Sequence, residues 1–385
     1  MYRQEIFSTT QRIVLGPGAL RSIVDEIKRL KGARALVVTD PGVVAAGVVG
    51  ALEDVLTAAG IAFSRFDKVE ADPRYELASE VLDQLRDQGA DIILGIGGGS
   101  SLDIAKIVSV LATNEEPVSA MFGIGLIKNP GLPLILVPTT AGTGSEVTPI
   151  VILSDHHEKL KKGVVSPYLY PDCALLDPEL TIGLPPKVTA ATGMDALIHA
   201  VEAFTSRNAS PMSDLLAREA MGLLFANIRT AYCDGENLAA RTAMLRGSML
   251  AGMAFANAGV TAVHAFAYPI GAEFHIPHGV ANTIMLVPVI QFNMIGNLKR
   301  FGEIAEIFQQ PVQGSSPRQA AQSCVDALIE LAEDLRVPRR LSEFGVREEH
   351  LPDLAQGVMK VTRLLANNPR KLEQSDAEAI YRSVL

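Results

Sequence analysis

The chain has 385 residues, of which 48% are hydrophobic and 20% charged, and a formal net charge of −9. That length holds two domains with separate cores. The acidic balance, with a single short basic cluster at residues 159–162, excludes nucleic acid as the main partner. No apolar run reaches about eighteen residues, so no membrane span is expected.

The N-terminal segment MYRQEIFSTTQRIVLG has neither a signal core nor a cleavage pattern. Cys173, Cys233 and Cys324 are odd in number and far apart, which suits a reducing compartment and a cytoplasmic location. From residue 18 the chain alternates helical and strand-like segments: helices over 18–30, 44–59 and 75–88, and branched apolar strands in ARALVVTD, ADIILGIGG and LPLILVPTT. This alternation predicts parallel strands joined by helical crossovers. IVILSD and CALLDPEL read as further strands. After Gly183-Leu184-Pro185-Pro186 the pattern becomes long helices, over 187–207, 212–228 and 238–256 and several between 317 and 385. The expected domains are an α/β dinucleotide-binding domain, 1–184, with a parallel sheet, and an all-α domain, 185–385.

Chemistry-bearing residues follow the strands. The first strand ends at Asp40, where an acid suits the ribose hydroxyls of NAD and repels the extra phosphate of NADP; Pro41 and Gly42 make a helix cap the alternative. In ADIILGIGGGSSLDIAK, Gly97, Gly98 and Gly99 end a strand, Ser100 or Ser101 is placed to cap the next helix, and Asp103 falls in its first turn. A strand, a glycine turn and a helix N-terminus form an anion site for a pyrophosphate. A second loop, PTTAGTGSEVT, offers Thr139, Thr140, Gly142, Thr143, Ser145 and Thr148 to phosphate and ribose oxygens. His156 and His157 are expected in a solvated turn.

Downstream, Asp195 and His199 stand four apart in GMDALIHAVEAF, on one helix face. Thr192, three residues before Asp195, also allows a capping-box reading. His264 and His278 lie in VHAFAYPIGAEFHIPHG, where Pro269, Gly271 and Pro277 are expected to fold the chain back. Three imidazoles and one carboxylate without a thiolate suit Fe(II) or Zn(II).

Taken together, GGGSSLDIAK, PTTAGTGSEVT, the Asp195–His199 pair and the His264–His278 block resemble the iron-containing (group III) alcohol dehydrogenase family, in the family's order and over most of the chain. The resemblance implies a dehydroquinate synthase-like architecture with metal and nicotinamide meeting between the domains. It implies reversible hydride transfer between NAD(H) and a small alcohol or aldehyde (ketone), with the metal as Lewis acid. The ligands would be Asp195, His199, His264 and His278, holding Fe(II), or alternatively Zn(II). Lys161 and Leu180 join the cofactor set, and the protein is expected to be a homo-oligomer, dimer or higher. Two positions depart from the family. Ser101 replaces the proline that usually follows GGGS, and Tyr268 stands where many members carry a second histidine. Tyr268 is therefore expected to orient substrate or water, with Phe255 lining an apolar substrate pocket and His275 near the reacting centre. The same fold also serves maleylacetate reductases and hydroxyacid–oxoacid transhydrogenases, and a non-catalytic binding protein is the reading from another class.

Overall fold

A computed structural model describes residues 4–156, 158 and 160–385; His157 lies outside the described residues. The chain divides into two compact units. One is Thr9–Gly183; the other is Leu184–Leu385 with the N-terminal residues through Ser8, whose backbone N–H donates to Asn257 Oδ1 at 2.8 Å.

The first unit holds strands β1 (Ile13–Leu15), β2 (Arg34–Val38), β3 (Ala62–Phe66), β4 (Ile92–Gly97), β5 (Gly123–Ile124), β6 (Leu134–Pro138), β7 (Ile150–Asp155), β8 (Leu160–Val165) and β9 (Cys173–Leu176). Its helices are α1 (Ile23–Arg29), α2 (Pro41–Ala45), α3 (Val48–Ala58), α4 (Leu77–Gln88) and α5 (Gly99–Leu111). Six strands form a fully parallel sheet in the order β1-β9-β6-β4-β2-β3. The apolar runs are continuous because both faces are covered. Ala35, Val37, Ile92, Leu94 and Ile135 pack with Ile23, Ile27, Leu52 and Leu56. Their neighbours Leu36, Val38, Ile93 and Leu136 turn the other way, onto Val81, Leu102 and Ile104. From β2 the chain first moves outward to β3, then crosses back to β4 on the far side of β2. The winding therefore reverses between β2 and β4, and ligands of such sheets bind beyond the strand ends at that reversal.

IVILSD forms β7, which pairs antiparallel with β8 in a separate three-stranded sheet, order β5-β8-β7. The helix expected over 44–59 is two helices, because Gly47 takes a left-handed backbone, φ 76°, between α2 and α3. The segment 18–30 likewise opens with a 3-10 turn, Ala19–Ser22, before α1.

The second unit is helical: α6 (Pro186–Thr205), α7 (Pro211–Cys233), α8 (Leu238–Ala258), α9 (Ala262–Phe274), α10 (His278–Met294), α11 (Leu298–Ile307), α12 (Pro317–Asp334), α13 (Leu351–Lys360), α14 (Thr362–Leu365) and α15 (Gln374–Arg382). Helices α6, α7 and α8 pack on one another, and α10 packs on both α6 and α9. The chain does not fold back at Pro269 and Gly271, contrary to the expectation from their residue types. Pro269 lies inside α9, against which Gly357 of α13 closes so tightly that a Cβ there would stand 3.0 Å from the proline ring. The reversal falls at His275, φ 53°, which ends α9 in a left-handed conformation. The buried Tyr381 hydroxyl donates to Phe266 O at 2.7 Å and ties α15 to α9. Among the described residues no single helix is long and apolar enough to cross a membrane; α8 and α9 pass that test only when joined across a bend of 103°.

Candidate functional site

In the first unit the chemistry gathers at the winding reversal. Helix α5 starts at Gly99 directly after β4, with Gly98 as N-cap and no side-chain cap. The expected serine cap is absent because the helix has already begun: Ser100 and Ser101 are its second and third residues, and Asp103 lies beyond the first turn. The first backbone bond runs from Leu102 N–H to Gly98 O. The N–H groups of Gly99, Ser100 and Ser101 thus precede the helical ladder, which is what an anion requires.

The expected residues around this end contact one another. Asp40 caps α2, accepting from Val43 N at 3.0 Å, and its other oxygen accepts from Ser101 Oγ at 3.0 Å. The capping alternative for Asp40 is therefore observed, and its carboxylate sits beside the glycine turn. Gly97 has φ 152°, and a Cβ there would meet Ser101 Oγ at 2.7 Å and Asp40 Oδ2 at 3.0 Å. A Cβ on Gly99 would meet Thr143 Cγ2 at 2.7 Å, and one on Gly98 would meet Thr140 at 3.8 Å. The two loops therefore touch through glycines, leaving a cradle that side chains would fill, and this fits a dinucleotide phosphate. Thr139 N–H donates to Gly97 O at 3.0 Å, and Gly142 is buried in the same loop.

Other expected cofactor residues are engaged internally. Asp103 accepts from Ser145 Oγ at 2.6 Å and from Ile152 N at 2.8 Å, so it fastens the threonine loop and β7 to α5. Thr148 Oγ1 accepts from Lys106 Nζ at 3.2 Å. Lys161 is not a solvated lysine: its side chain is 6% exposed and bonds Asp72 Oδ1 at 2.6 Å. Leu180, in the 3-10 turn Pro178–Thr181, packs on the sheet core.

Two charged groups behind these loops do not stand out from sequence. Lys106 is fully buried, and its Nζ also donates to Ile150 O at 2.9 Å. Burial lowers its pKa to about 8, against the pull of Asp103 and Glu146. Glu146 is 2% exposed, and its Oε1 has no hydrogen-bond partner among the described residues. Burial raises its pKa to about 7. The one local signal is a lysine inside the largely apolar helical stretch IAKIVSVL.

In the second unit the four expected ligands approach one another. One ligand atom from each of Asp195, His199 and His264 lies within 4.8 Å of the other two, and all three residues are buried. His199 Nε2 and His264 Nε2 face each other at 3.0 Å. His278 Nε2 stands 3.8 Å from Asp195 Oδ1, on a side chain 31% exposed. Asp195 sits mid-helix in α6, and Thr192 Oγ1 donates to Val188 O instead of capping, which removes the capping-box reading. Helix α10 reaches α6 because residue 279 is glycine: any Cβ there would collide with the Ala191 carbonyl.

Glu202, which the ligand spacing alone does not single out, completes the arrangement. It follows Asp195 and His199 at the i+7 position of the same helix face. Glu202 Oε2 lies 2.5 Å from His264 Nδ1, and Oε1 accepts from Thr261 Oγ1 at 2.6 Å and Val263 N at 2.8 Å. With its proton on Nδ1, His264 turns the Nε2 lone pair toward Asp195 and His199. Burial opposes the Asp195 charge, but His199, His278, His264 and Asn282 outweigh it and hold its pKa below the ordinary value. A carboxylate kept ionised among converging imidazole nitrogens fits a divalent cation.

Of the residues expected near the reaction, Phe255 stacks on His199 at 4.3 Å between centroids, and the Tyr268 ring lies 6.2 Å from that of His278. His275 is exposed at the end of α9.

Comparison with known proteins covers both units. Residues 10–178 match the family described as iron-containing alcohol dehydrogenase, and residues 189–385 match the Fe-containing alcohol dehydrogenase family, C-terminal. The sulfoacetaldehyde reductase of Bilophila wadsworthia is 43% identical over 97% of each chain. The long-chain-alcohol dehydrogenase 1 of Geobacillus thermodenitrificans is 41% identical over 95% of this chain and 93% of its own. A crystal structure of 1,3-propanediol oxidoreductase superposes with a TM-score of 0.97 at 38% identity, covering all of both chains. The chain belongs to the iron-containing alcohol dehydrogenase family. It is an oxidoreductase that uses NAD and iron to interconvert alcohols and aldehydes.

Proposed function

We propose that Asp195, His199, His264 and His278 hold one divalent iron, and that the glycine and threonine loops of the first unit hold NAD(H). The observation that carries this reading is the buried convergence of Asp195, His199 and His264 on one point. Iron held there would supply Lewis acidity toward an alcohol or carbonyl oxygen, and NAD(H) held by the loops would supply the hydride acceptor or donor. Glu202 keeps the proton on His264 Nδ1 and so preserves the His264 ligand atom. Phe255 covers one face of His199 and excludes water there. Tyr268, one turn beyond His264 on α9, presents a hydroxyl that orients substrate or water. The Gly97–Ser101 turn and Thr139–Thr148 receive the pyrophosphate, Asp40 the adenosine ribose, and Lys161 and Leu180 flank the coenzyme.

For the substrate we favour a short aldehyde with a second polar group, in line with the reductase of sulfoacetaldehyde and the oxidoreductase of 1,3-propanediol among its relatives. We place the enzyme in the cytoplasm, in keeping with three free cysteines among the described residues, and expect a dimer or higher oligomer. Two measurements test the reading. His264→Ala is expected to stay folded and lose its metal; full iron content by elemental analysis would reject the ligand set. NADH oxidation with iron-loaded enzyme and a panel of short polar and long-chain aldehydes is expected to be fastest with the short ones. Turnover only in the presence of both a hydroxyacid and an oxoacid would instead assign a transhydrogenase.

A further inference from the structure

Asn282 lies one turn after His278 on α10 and is fully buried. Its Nδ2 stands 2.7 Å from Asp195 Oδ1, 3.1 Å from His264 Nε2 and 3.2 Å from His278 Nε2. Its Oδ1 is buried without a hydrogen-bond partner among the described residues. The amide therefore stands where atoms from α6, α9 and α10 converge, with its donor end inward.

Chemistry fixes that orientation. Turning the amide over would set a carbonyl oxygen 2.7 Å from a carboxylate oxygen, two acceptors with no proton between them. In the tautomer with the His264 proton on Nδ1, facing Glu202, it would also set that oxygen against the Nε2 lone pair. An amide has two N–H groups, and three acceptors lie within reach, so it does not satisfy all three at once. When the imidazole lone pairs serve a cation, Asp195 Oδ1 is the acceptor that remains. The amide then holds one lone pair of that oxygen and sets the rotation of the carboxylate. Outer hydrogen bonds of this kind orient metal-binding carboxylates and commonly change metal affinity 10–100-fold.

We propose that Asn282 is a positioning residue for the metal: by donating to Asp195 Oδ1 it locks the carboxylate of α6 to the histidine helix α10. This inference rests on the assignment of Asp195, His199, His264 and His278 as ligands.

The test uses the full-length protein loaded with Co(II), whose visible absorption reports ligand geometry. Asn282→Leu keeps most of the volume and removes the donor. It is expected to shift the Co(II) spectrum and to release metal to a chelator roughly 10–100-fold faster than wild type. A packing role alone would lower the thermal midpoint and leave the spectrum in place. Folded Asn282→Leu with wild-type spectrum and release rate would overturn the proposal. Should that variant not fold, Asn282→Ala is measured by the same spectrum and release rate, and the same outcomes support or overturn the proposal. Failure of the wild type itself to bind stoichiometric Co(II) would strike the ligand assignment, whereas unchanged variants on a metal-binding wild type strike only the role of Asn282.

Discussion

Glu146 turns the buried charges behind the coenzyme loops into a measurable pH dependence. Its carboxyl is 2% exposed, and burial moves its pKa from the ordinary 4.5 to about 7. Between about pH 4.5 and 7 the folded protein keeps a proton that the unfolded chain has released. Stability therefore falls as pH rises through that window, and the loss is complete above about 7. The pKa displacement corresponds to about 3 kcal/mol. Glu146→Gln removes the ionisation while keeping the shape. At pH 8 it is expected to stabilise the first unit by up to about 3 kcal/mol, or roughly 6–12 °C in thermal midpoint for a body of this size. At pH 4.5 the gain is expected to vanish. Lys106 reduces the gain, since its buried ammonium is favoured by a charged Glu146. Its own pKa is lowered to about 8, so its contribution has the opposite slope and rises between about pH 8 and 10.5. The assay is a pH series of thermal melts on both proteins, keeping to the transition of the first unit. A variant less stable than wild type at pH 8, or one with equal gains at both pH values, would refute the argument from burial.

Four further substitutions address the two constellations. Glu202→Ala takes away the partner of His264 Nδ1 and is expected to weaken metal retention by about 10–100-fold, read by elemental analysis after dialysis against a chelator. Gly279→Ala drives a methyl into the Ala191 carbonyl; it is expected to cost about 1–3 kcal/mol and to lower metal content, whereas a wild-type melt would mean that α10 does not need this approach. Asp40→Gly is expected to narrow the preference for NAD over NADP by about tenfold or more in kcat/KM, and a wild type preferring NADP would remove Asp40 from the ribose. Tyr268→Phe is expected to lower kcat about tenfold, as one lost hydrogen bond of about 1.4 kcal/mol implies; a loss of about 10³-fold with metal and NAD still bound would show that the phenol transfers the proton.

The sheet is legible in the sequence because its strands are buried on both faces. LVV, IIL and LIL are apolar at consecutive positions, which a parallel sheet covered by helices demands and a half-exposed strand does not. Helix ends and breaks are less legible. Gly47 splits 44–59, yet glycine in a helical stretch is only weakly informative without its φ. Pro269 reads as a turn, but it sits inside α9, where α13 packs Gly357 against its ring. That tertiary contact leaves no trace in local sequence.

At the metal centre, sequence spacing reveals what one helix face carries and hides what several helices share. Asp195, His199 and Glu202 occupy i, i+4 and i+7 of α6, so the same periodicity that singles out the first two already contains the third. Glu202 escapes notice because a glutamate near a helix end is ordinarily a surface residue, and only its 2% exposure distinguishes it. Asn282 repeats the i, i+4 relation on α10, one turn beyond His278. Its partner Asp195 is remote in sequence, and amides are common at helix surfaces. A buried polar residue is diagnostic only when its acceptors are known, and those come from packing. Gly279 joins the two cases: its missing side chain lets α10 settle on α6, and that approach brings the Asn282 amide to 2.7 Å from Asp195. The proposed ligand set thus follows from one local helical pair on α6 and two histidines on α9 and α10, while the approach of α10 to α6 follows from a glycine that carries no metal chemistry of its own.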